Sequence, residues 1–147
     1  MLDITFVKPA LPRGGALVLP VAEDSALGGL GADLDAAVGG AVKRALDAAD
    51  FKGRKGQSCT IWAPMPDGAA GPSRIVAVGL GKAGELSAEA AEAAGGGALP
   101  LVRSEKEATV AADAMPGELT TSVGARVFLA GPLDRPPASY GVIEMAR

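Results

Sequence analysis

The sequence predicts an α/β domain with a mostly parallel or mixed sheet. Apolar runs without polar alternation, such as residues 16–21 (ALVLPV), are typical of strands buried on both faces. Segments whose apolar residues recur with the helical period stand between such runs, and strands that alternate with helices favour this fold class. At 147 residues, without an internal repeat or a long linker, the chain is about one domain.

In the first half of the chain the patterns predict two strands followed by one long helix. Residues 3–7 (DITFV) and 16–21 are strand candidates, and the turn KPALPRGG separates them. The predicted helical face is formed by Leu34, Val38, Val42 and Leu46. Gly39 and Gly40 fall inside this helix, where each costs about 1 kcal/mol relative to alanine. We expect them to let the helix approach a strand closely.

In the second half, strand and helix signals continue to alternate. The further strand candidates are residues 58–64, 74–78 and 107–113. Ser87 is a candidate N-cap for a helix that extends to about Val102. Pro116 suits the first turn of a final helix.

Aromatic residues make up 3% of the chain, so the core must be built mainly from Ala, Val and Leu. Large apolar side chains are mostly buried in folded proteins. We therefore expect the single aromatic residues to be buried packing anchors, namely Phe6, Phe51, Trp62 and Phe128.

Composition excludes several classes of function. A net charge of −3 gives no whole-molecule attraction to nucleic acid or to an anionic membrane. The absence of histidine rules out a Ser-His or Cys-His pair, and one cysteine, Cys59, rules out an internal disulfide and a cysteine-cluster zinc site. No apolar run reaches the ~18 residues of a membrane span, and no signal peptide is visible. We therefore predict a cytoplasmic protein that binds neither membrane nor nucleic acid.

The stretch RIVAVGLGKAGE, residues 74–85, contains the spacing G-x-G-x-x-G at Gly79, Gly81 and Gly84. Between a strand and a helix, this spacing is the fingerprint of a dinucleotide-binding turn, so the three glycines are candidate cofactor-binding residues. The alternative is a structural turn in which glycine supplies a positive φ and a close backbone approach.

Two observations favour the structural turn over the cofactor loop. The acids about 20 positions later, Glu105 and Glu107, stand before a strand and not at its end, where a ribose-binding acid belongs. The predicted N-cap Ser87 is separated from Gly84, so the helix amides do not open directly onto the glycines.

The remaining charged and nucleophilic residues have simple structural interpretations. Residues 51–57 (FKGRKGQ) form a basic glycine loop, which we expect to be solvated and not to bind nucleic acid. Its cations are Lys52, Arg54 and Lys55. Cys59 is expected to be a buried strand residue, since no histidine can activate it. The acids expected at the start and on the outer face of the long helix are Asp33, Asp35 and Asp47.

Taken together and in order, three motifs resemble the N-terminal domain of the leucyl (cytosol) aminopeptidases, the M17 metallopeptidase family. They are FKGRKGQ (residues 51–57), RIVAVGLGK (residues 74–82) and LSAEAAEAAGGGAL (residues 86–99). The resemblance covers roughly residues 6–124. It implies a macro-domain-like, three-layer α/β/α fold over residues 1–130, followed by an irregular C-terminal tail over residues 131–147.

The resemblance also implies that this chain has no catalytic or metal-binding residue of its own. The family removes N-terminal amino acids from peptides with two divalent metals, zinc, manganese or magnesium, held in a larger C-terminal domain. Its N-terminal domain surrounds a hexameric catalytic core and in some bacterial members contributes to DNA binding. The implied partners are therefore a catalytic domain or other subunits of a homo-oligomer, and the implied role is architectural.

A second hypothesis is a stand-alone macro-like module. Such a module would bind a nucleotide such as ADP-ribose through the turn from Gly79 to Gly84, whose backbone amides would form an anion nest.

The C-terminal end, AGPLDRPPASYGVIEMAR, departs from the family pattern, which usually continues into an Arg- and Tyr-rich linker.

Overall fold

The structure, a computed structural model, describes residues 3–7, 10–24, 26–62, 64–111 and 142–146. Its elements in chain order are β1 (Asp3–Val7), β2 (Ala16–Glu23), α1 (Gly29–Ala37), α2 (Ala41–Ala48), β3 (Ser58–Trp62), β4 (Arg74–Lys82), a 3-10 turn (Ala83–Glu85), α3 (Ala88–Val102), β5 (Glu107–Val110) and β6 (Val142–Ala146). Each predicted strand within these ranges is present, and α3 begins after the predicted N-cap Ser87, whose hydroxyl accepts a hydrogen bond from the Ala90 amide.

The described strands form one six-stranded sheet in the order β1-β6-β5-β2-β4-β3. β2 pairs in parallel with β4 on one side and β5 on the other, while β3 is antiparallel to β4, and β6 is antiparallel to both β5 and β1. Four strands therefore run in one direction, and β3 and β6 run in the other. The prediction of a mixed, mostly parallel α/β sheet is confirmed.

Helices cover both faces of the sheet, because successive side chains of a buried strand point to opposite sides. One face packs against α3, and its buried residues are Ala16, Val18, Val76, Val78, Leu80, Ala94, Ala98, Val102, Ala108 and Val110. The other packs against α1 and α2, and its buried residues are Leu17, Leu19, Val21, Leu30, Leu34, Val42, Leu46, Phe51, Ile75, Ala77 and Ala111. The layers are therefore helix, sheet and helix.

The prediction of one long helix over the first helical segment is wrong, since the chain breaks it into α1 and α2. Gly39 and Gly40 both have left-handed backbones, with φ of 62° and 79°, and the Gly40 amide donates to the Asp35 carbonyl at 2.7 Å. A Cβ at Gly39 would have nothing within 4 Å, so this pair ends a helix and does not approach a strand. The close approach belongs to Gly31, whose Cβ would lie 3.3 Å from Leu19.

The expectation of buried aromatic anchors holds for Phe51 and fails for Trp62. Phe51 is 7% exposed and lies in the core beneath α2, whereas Trp62 is 68% exposed. Trp62 ends β3, the last strand in the sheet order, and its ring lies 4.8 Å from the Arg74 guanidinium. It therefore stacks on a buried cation and not in the core. The side chain of Phe6 and the whole of Phe128 lie outside the described residues.

The C-terminal end also differs from the irregular tail that the sequence predicts. Residues 142–146 (VIEMA) form β6, which lies between β1 and β5. Their pairing with β1 joins the two ends of the chain, and such long-range pairing has no local signal. The proposed boundary after residue 130 stays a prediction, and residues 131–141 and the helix predicted from Pro116 lie outside the described residues.

Arg74 connects the start of β4 to the end of α3 through hydrogen bonds and an ion pair. It is 8% exposed, and its guanidinium donates to the Leu101 carbonyl at 3.2 Å and to the Ser104 hydroxyl at 2.8 Å. It also donates from Nε and Nη2 to the carboxylate of Glu105. These bonds satisfy a nearly buried charge and one of the last carbonyls of the helix.

We predict that Arg74→Met lowers the free energy of unfolding by about 2–3 kcal/mol, because Glu105 loses its charged partner while the aliphatic stem is kept. Urea denaturation measures the change. The exposed Arg13 provides the control, and Arg13→Met is expected to change stability by about 0.5 kcal/mol or less. Equal effects of the two substitutions would contradict the structural role of Arg74.

Candidate functional site

Gly79 and Gly81, the first two glycines of the candidate motif, lie inside β4 and not in a turn. The sequence predicts that the strand ends at Val78, but β4 continues to Lys82. The reason is the 51–57 loop, which pairs with the strand after the β3 ladder ends. The Gly79 amide donates to the Gln57 carbonyl at 2.8 Å, and the Gly81 amide donates to the Gly53 carbonyl at 2.9 Å.

We call this contact between the 51–57 loop and the ends of β4 and β2 the glycine seam. A Cβ at Gly79 would lie 1.9 Å from the Arg54 carbonyl oxygen, and a Cβ at Gly53 would lie 2.5 Å from the Ala22 carbonyl oxygen. Gly81 has φ of 82°, and the parallel register between β2 and β4 shifts just before it. The glycines are therefore required because two backbones cross at a distance that leaves no room for a side chain.

Gln57 holds the loop in the shape that the seam requires. Its side-chain oxygen accepts hydrogen bonds from the amides of Lys52 at 2.8 Å and Arg54 at 3.3 Å. Its side-chain nitrogen donates to the Asp50 carbonyl at 3.0 Å. The Asp24 amide donates to the Lys52 carbonyl at 3.1 Å, which attaches the loop to the end of β2 as well.

The seam accounts for the glycine motif without a cofactor. The amides of Gly79 and Gly81 already donate within the protein, so they are not available to a phosphate. Gly84 lies in the 3-10 turn, and α3 starts beyond it at Ala88, which confirms that the helix does not open onto the glycines. Glu105, an acid at the spacing of a ribose ligand, is bound to Arg74 instead. The nucleotide hypothesis gains no support at these residues.

The basic residues of the loop are exposed, and two of them make weak ion pairs. Lys52 lies 3.2 Å from Asp50, and Arg54 lies 3.7 Å from Glu23. Surface pairs of this kind contribute little to stability. The structure places these cations in solvent, and the expectation that they bind no nucleic acid stays a prediction.

The acids of the helical segment do more than the solvated role predicted for them. Asp33 and Asp47 are exposed, but the half-buried Asp35 accepts a hydrogen bond from the Lys43 amide at 2.9 Å, in the first turn of α2. Lys43 in turn binds Asp47 at 2.6 Å, and that hydrogen bond and charge raise the pKa of Lys43. Sequence reasoning missed this arrangement because it did not place a helix start at Gly40.

Cys59 lies half-buried on β3, and burial raises the pKa of its thiol. This disfavours the reactive thiolate. Within the described ranges, no group of three or more His, Cys, Asp or Glu side chains is placed to hold a metal ion. The same part of the chain has no helix long and apolar enough to cross a membrane.

A cleft of about 670 Å³ opens between the helical layer and the end of β2, and sequence reasoning did not find it. Its lining residues are Val21, Asp24, Ala26, Leu27, Ala32, Asp35, Ala36, Gly39, Gly40, Lys43, Leu46, Asp47, Phe51 and Lys52. Ligand clefts in open α/β sheets lie outside the carboxyl ends of the strands, and this cleft lies at that end of β2. An acid directly after a buried strand, Asp24, was the available signal in the sequence.

We predict that Gly79→Ala lowers the free energy of unfolding by about 3 kcal/mol or more, because a methyl group would collide with the Arg54 carbonyl. Gly84→Ala is the matched control from the same motif. A Cβ there would have nothing within 4 Å, so the expected change is below about 1 kcal/mol. Urea denaturation measures both, and equal stability of the two variants would refute the seam.

We also predict that Cys59 reacts more slowly with a disulfide reagent at pH 8 in the folded protein than in 8 M urea. Burial raises the pKa of the folded thiol, so the thiolate fraction at this pH is smaller than in the unfolded chain. The sequence contains one cysteine, so the signal reports this residue alone. A faster reaction in the folded protein would indicate an activated thiol.

Comparison with known proteins gives one consistent result. The model of the cytosol aminopeptidase family, N-terminal domain, matches residues 18–125. A probable cytosol aminopeptidase of Rhizobium etli (strain CIAT 652) is 38% identical over 135 residues, which cover 90% of this chain and 26% of the relative. One of Chelativorans sp. (strain BNC1) is 32% identical over 126 residues, which cover 86% of this chain and 24% of the relative.

Among solved structures, a mutant of tomato leucine aminopeptidase matches with a TM-score of 0.54 and 22% identity, over 92% of this chain and 31% of that chain. This likeness shows a shared fold. The chain spans about a quarter of the length of the curated relatives that it matches. With most of its length matched by the family model, the chain belongs to the cytosol aminopeptidase family, as its N-terminal domain.

Proposed function

We propose that this chain is the non-catalytic, architectural domain of a cytoplasmic leucyl aminopeptidase. The parent enzyme would remove N-terminal amino acids from peptides with two divalent metals held outside this domain. The observation that carries the proposal is the match of the N-terminal-domain model over residues 18–125, in a chain that spans about a quarter of its relatives.

The polar side chains that make hydrogen bonds and ion pairs have structural roles, which supports the assignment of a non-catalytic domain. Arg74 and Glu105 connect β4 to α3, Gln57 shapes the loop of the glycine seam, and Lys43 connects the acids of α1 and α2. Each of these groups stabilises the domain. None of them forms a metal-ligand cluster within the described residues.

The partners of the domain would be the catalytic domain or other subunits of a homo-oligomer. The exposed Trp62, at 68%, and Leu99, at 46%, are apolar side chains that such a contact would bury. Aromatic residues are more frequent in protein–protein interfaces than on the rest of a protein surface. Neither a membrane nor a nucleic acid belongs to this proposal, and the net charge of −3 is consistent with that.

A chimaera tests the architectural role. The matching segment of the Rhizobium etli relative would be replaced by this chain, and a second variant of that relative would lack the segment. We predict that the chimaera keeps the oligomeric mass and leucyl amide hydrolysis of the relative, whereas the deletion variant loses the assembly. Light scattering and a leucyl p-nitroanilide assay measure the two properties. A deletion variant that assembles and hydrolyses as well as the chimaera would contradict the role.

The non-catalytic assignment predicts no hydrolysis of leucyl p-nitroanilide by this chain, with or without added manganese. The Rhizobium etli relative under identical conditions is the positive control for the assay. Turnover that follows the purified chain through chromatography would overturn the assignment.

A further inference from the structure

We propose that the cleft beside β2 is a binding site for a small amine, a primary ammonium group attached to an apolar body. The cleft is the 670 Å³ space between α1, α2 and the end of β2. Its size lies within the range of about 300–1,000 Å³ that is usual for small-molecule sites. This inference is independent of the architectural role, since it concerns the residues of the cleft alone.

The floor of the cleft is apolar. Val21, Leu46 and Phe51 line it, and each is 6–7% exposed, so each belongs to the core while presenting one surface to the cleft. Leu27 adds a half-buried aliphatic side chain. Such a surface favours the apolar part of a ligand, because binding removes it from water.

The lining carries more acids than bases, with three carboxylates against two ammonium groups, namely Asp24, Asp35 and Asp47 against Lys43 and Lys52. Asp47 is neutralised by Lys43 at 2.6 Å. Lys52 is paired at 3.2 Å with Asp50, which does not line the cleft. Asp24 lines the cleft, and among the residues that the structure describes its carboxylate has no hydrogen-bond or ion-pair partner. The uncompensated charge of the lining is therefore negative, which selects a cation.

The position of Asp24 is fixed by its backbone. It follows the last residue of β2 with a left-handed φ of 55°, and its amide donates to the Lys52 carbonyl at 3.1 Å. Residues other than glycine rarely adopt this conformation, and aspartate and asparagine tolerate it best. The chain thus keeps an acid at the carboxyl end of a central strand, in a conformation that asparagine also tolerates.

Two kinds of molecule share the proposed chemistry, the N-terminal residue of a peptide and a simple alkyl amine. Leucine amide represents the first, and isoamylamine represents the second. N-acetyl-leucine amide has the same apolar side chain as leucine amide without the ammonium group. Titration of each probe into the isotopically labelled chain, followed by amide chemical shifts, measures affinity and location together.

We expect leucine amide or isoamylamine to shift amides around the cleft, and the tighter of the two identifies the natural class. We expect N-acetyl-leucine amide to bind about fivefold more weakly or not at all, because it cannot pair with a carboxylate. Asp24→Asn should weaken the binding of the amine probes by a similar factor. Asp67 is an exposed acid outside the cleft, so Asp67→Asn should leave their affinity unchanged.

Three results would overturn the proposal. They are the absence of shifts at the cleft with both amines at millimolar concentration, equal binding of the acetylated probe, and unchanged affinity in Asp24→Asn. Since asparagine also tolerates the left-handed backbone, the variant is expected to fold, and its amide spectrum without ligand verifies this.

Discussion

The contact on which the rest of the fold depends is the crossing of the 51–57 loop over the ends of β4 and β2. Two amides of β4 donate into this loop, and the end of β2 donates to it once more. The loop backbone approaches so closely that Gly79 and Gly53 have no space for a Cβ. β2 and β4 pair in parallel and carry buried residues on both faces, so this crossing holds together two strands that both helical layers cover.

The same crossing organises the surroundings of the sheet end. Phe51 starts the loop and is buried under α2, so the loop is anchored in the core at one end and in the β4 ladder at the other. Lys52 lines the cleft, and its carbonyl accepts a hydrogen bond from the Asp24 amide. The shape of the cleft therefore depends on the glycine seam, although no glycine of the seam lines it. The 51–57 loop therefore connects the end of the sheet to the wall of the cleft.

Much of the fold follows from local patterns, and the departures have physical causes. The continuous apolar run of β2 and the cap at Ser87 are local signals, and both were predictive. The break at Gly39 was missed because a four-residue apolar period continues across it, while the backbone turns left-handed. β6 was missed because its partners are distant in sequence. The glycine motif was recognised, but the reason for its glycines is the 51–57 loop, which ends 22 positions before Gly79 (79 − 57) and which no spacing rule includes.

Native-state hydrogen exchange tests directly whether the 51–57 loop holds the Gly79 and Gly81 amides. Amides in such a contact exchange through global unfolding, whereas amides of a solvated glycine turn exchange through local opening. We predict that these two amides are as strongly protected as those in the middle of β2 and β4. Rapid exchange at Gly79 and Gly81, with slow exchange in the centre of the sheet, would contradict it.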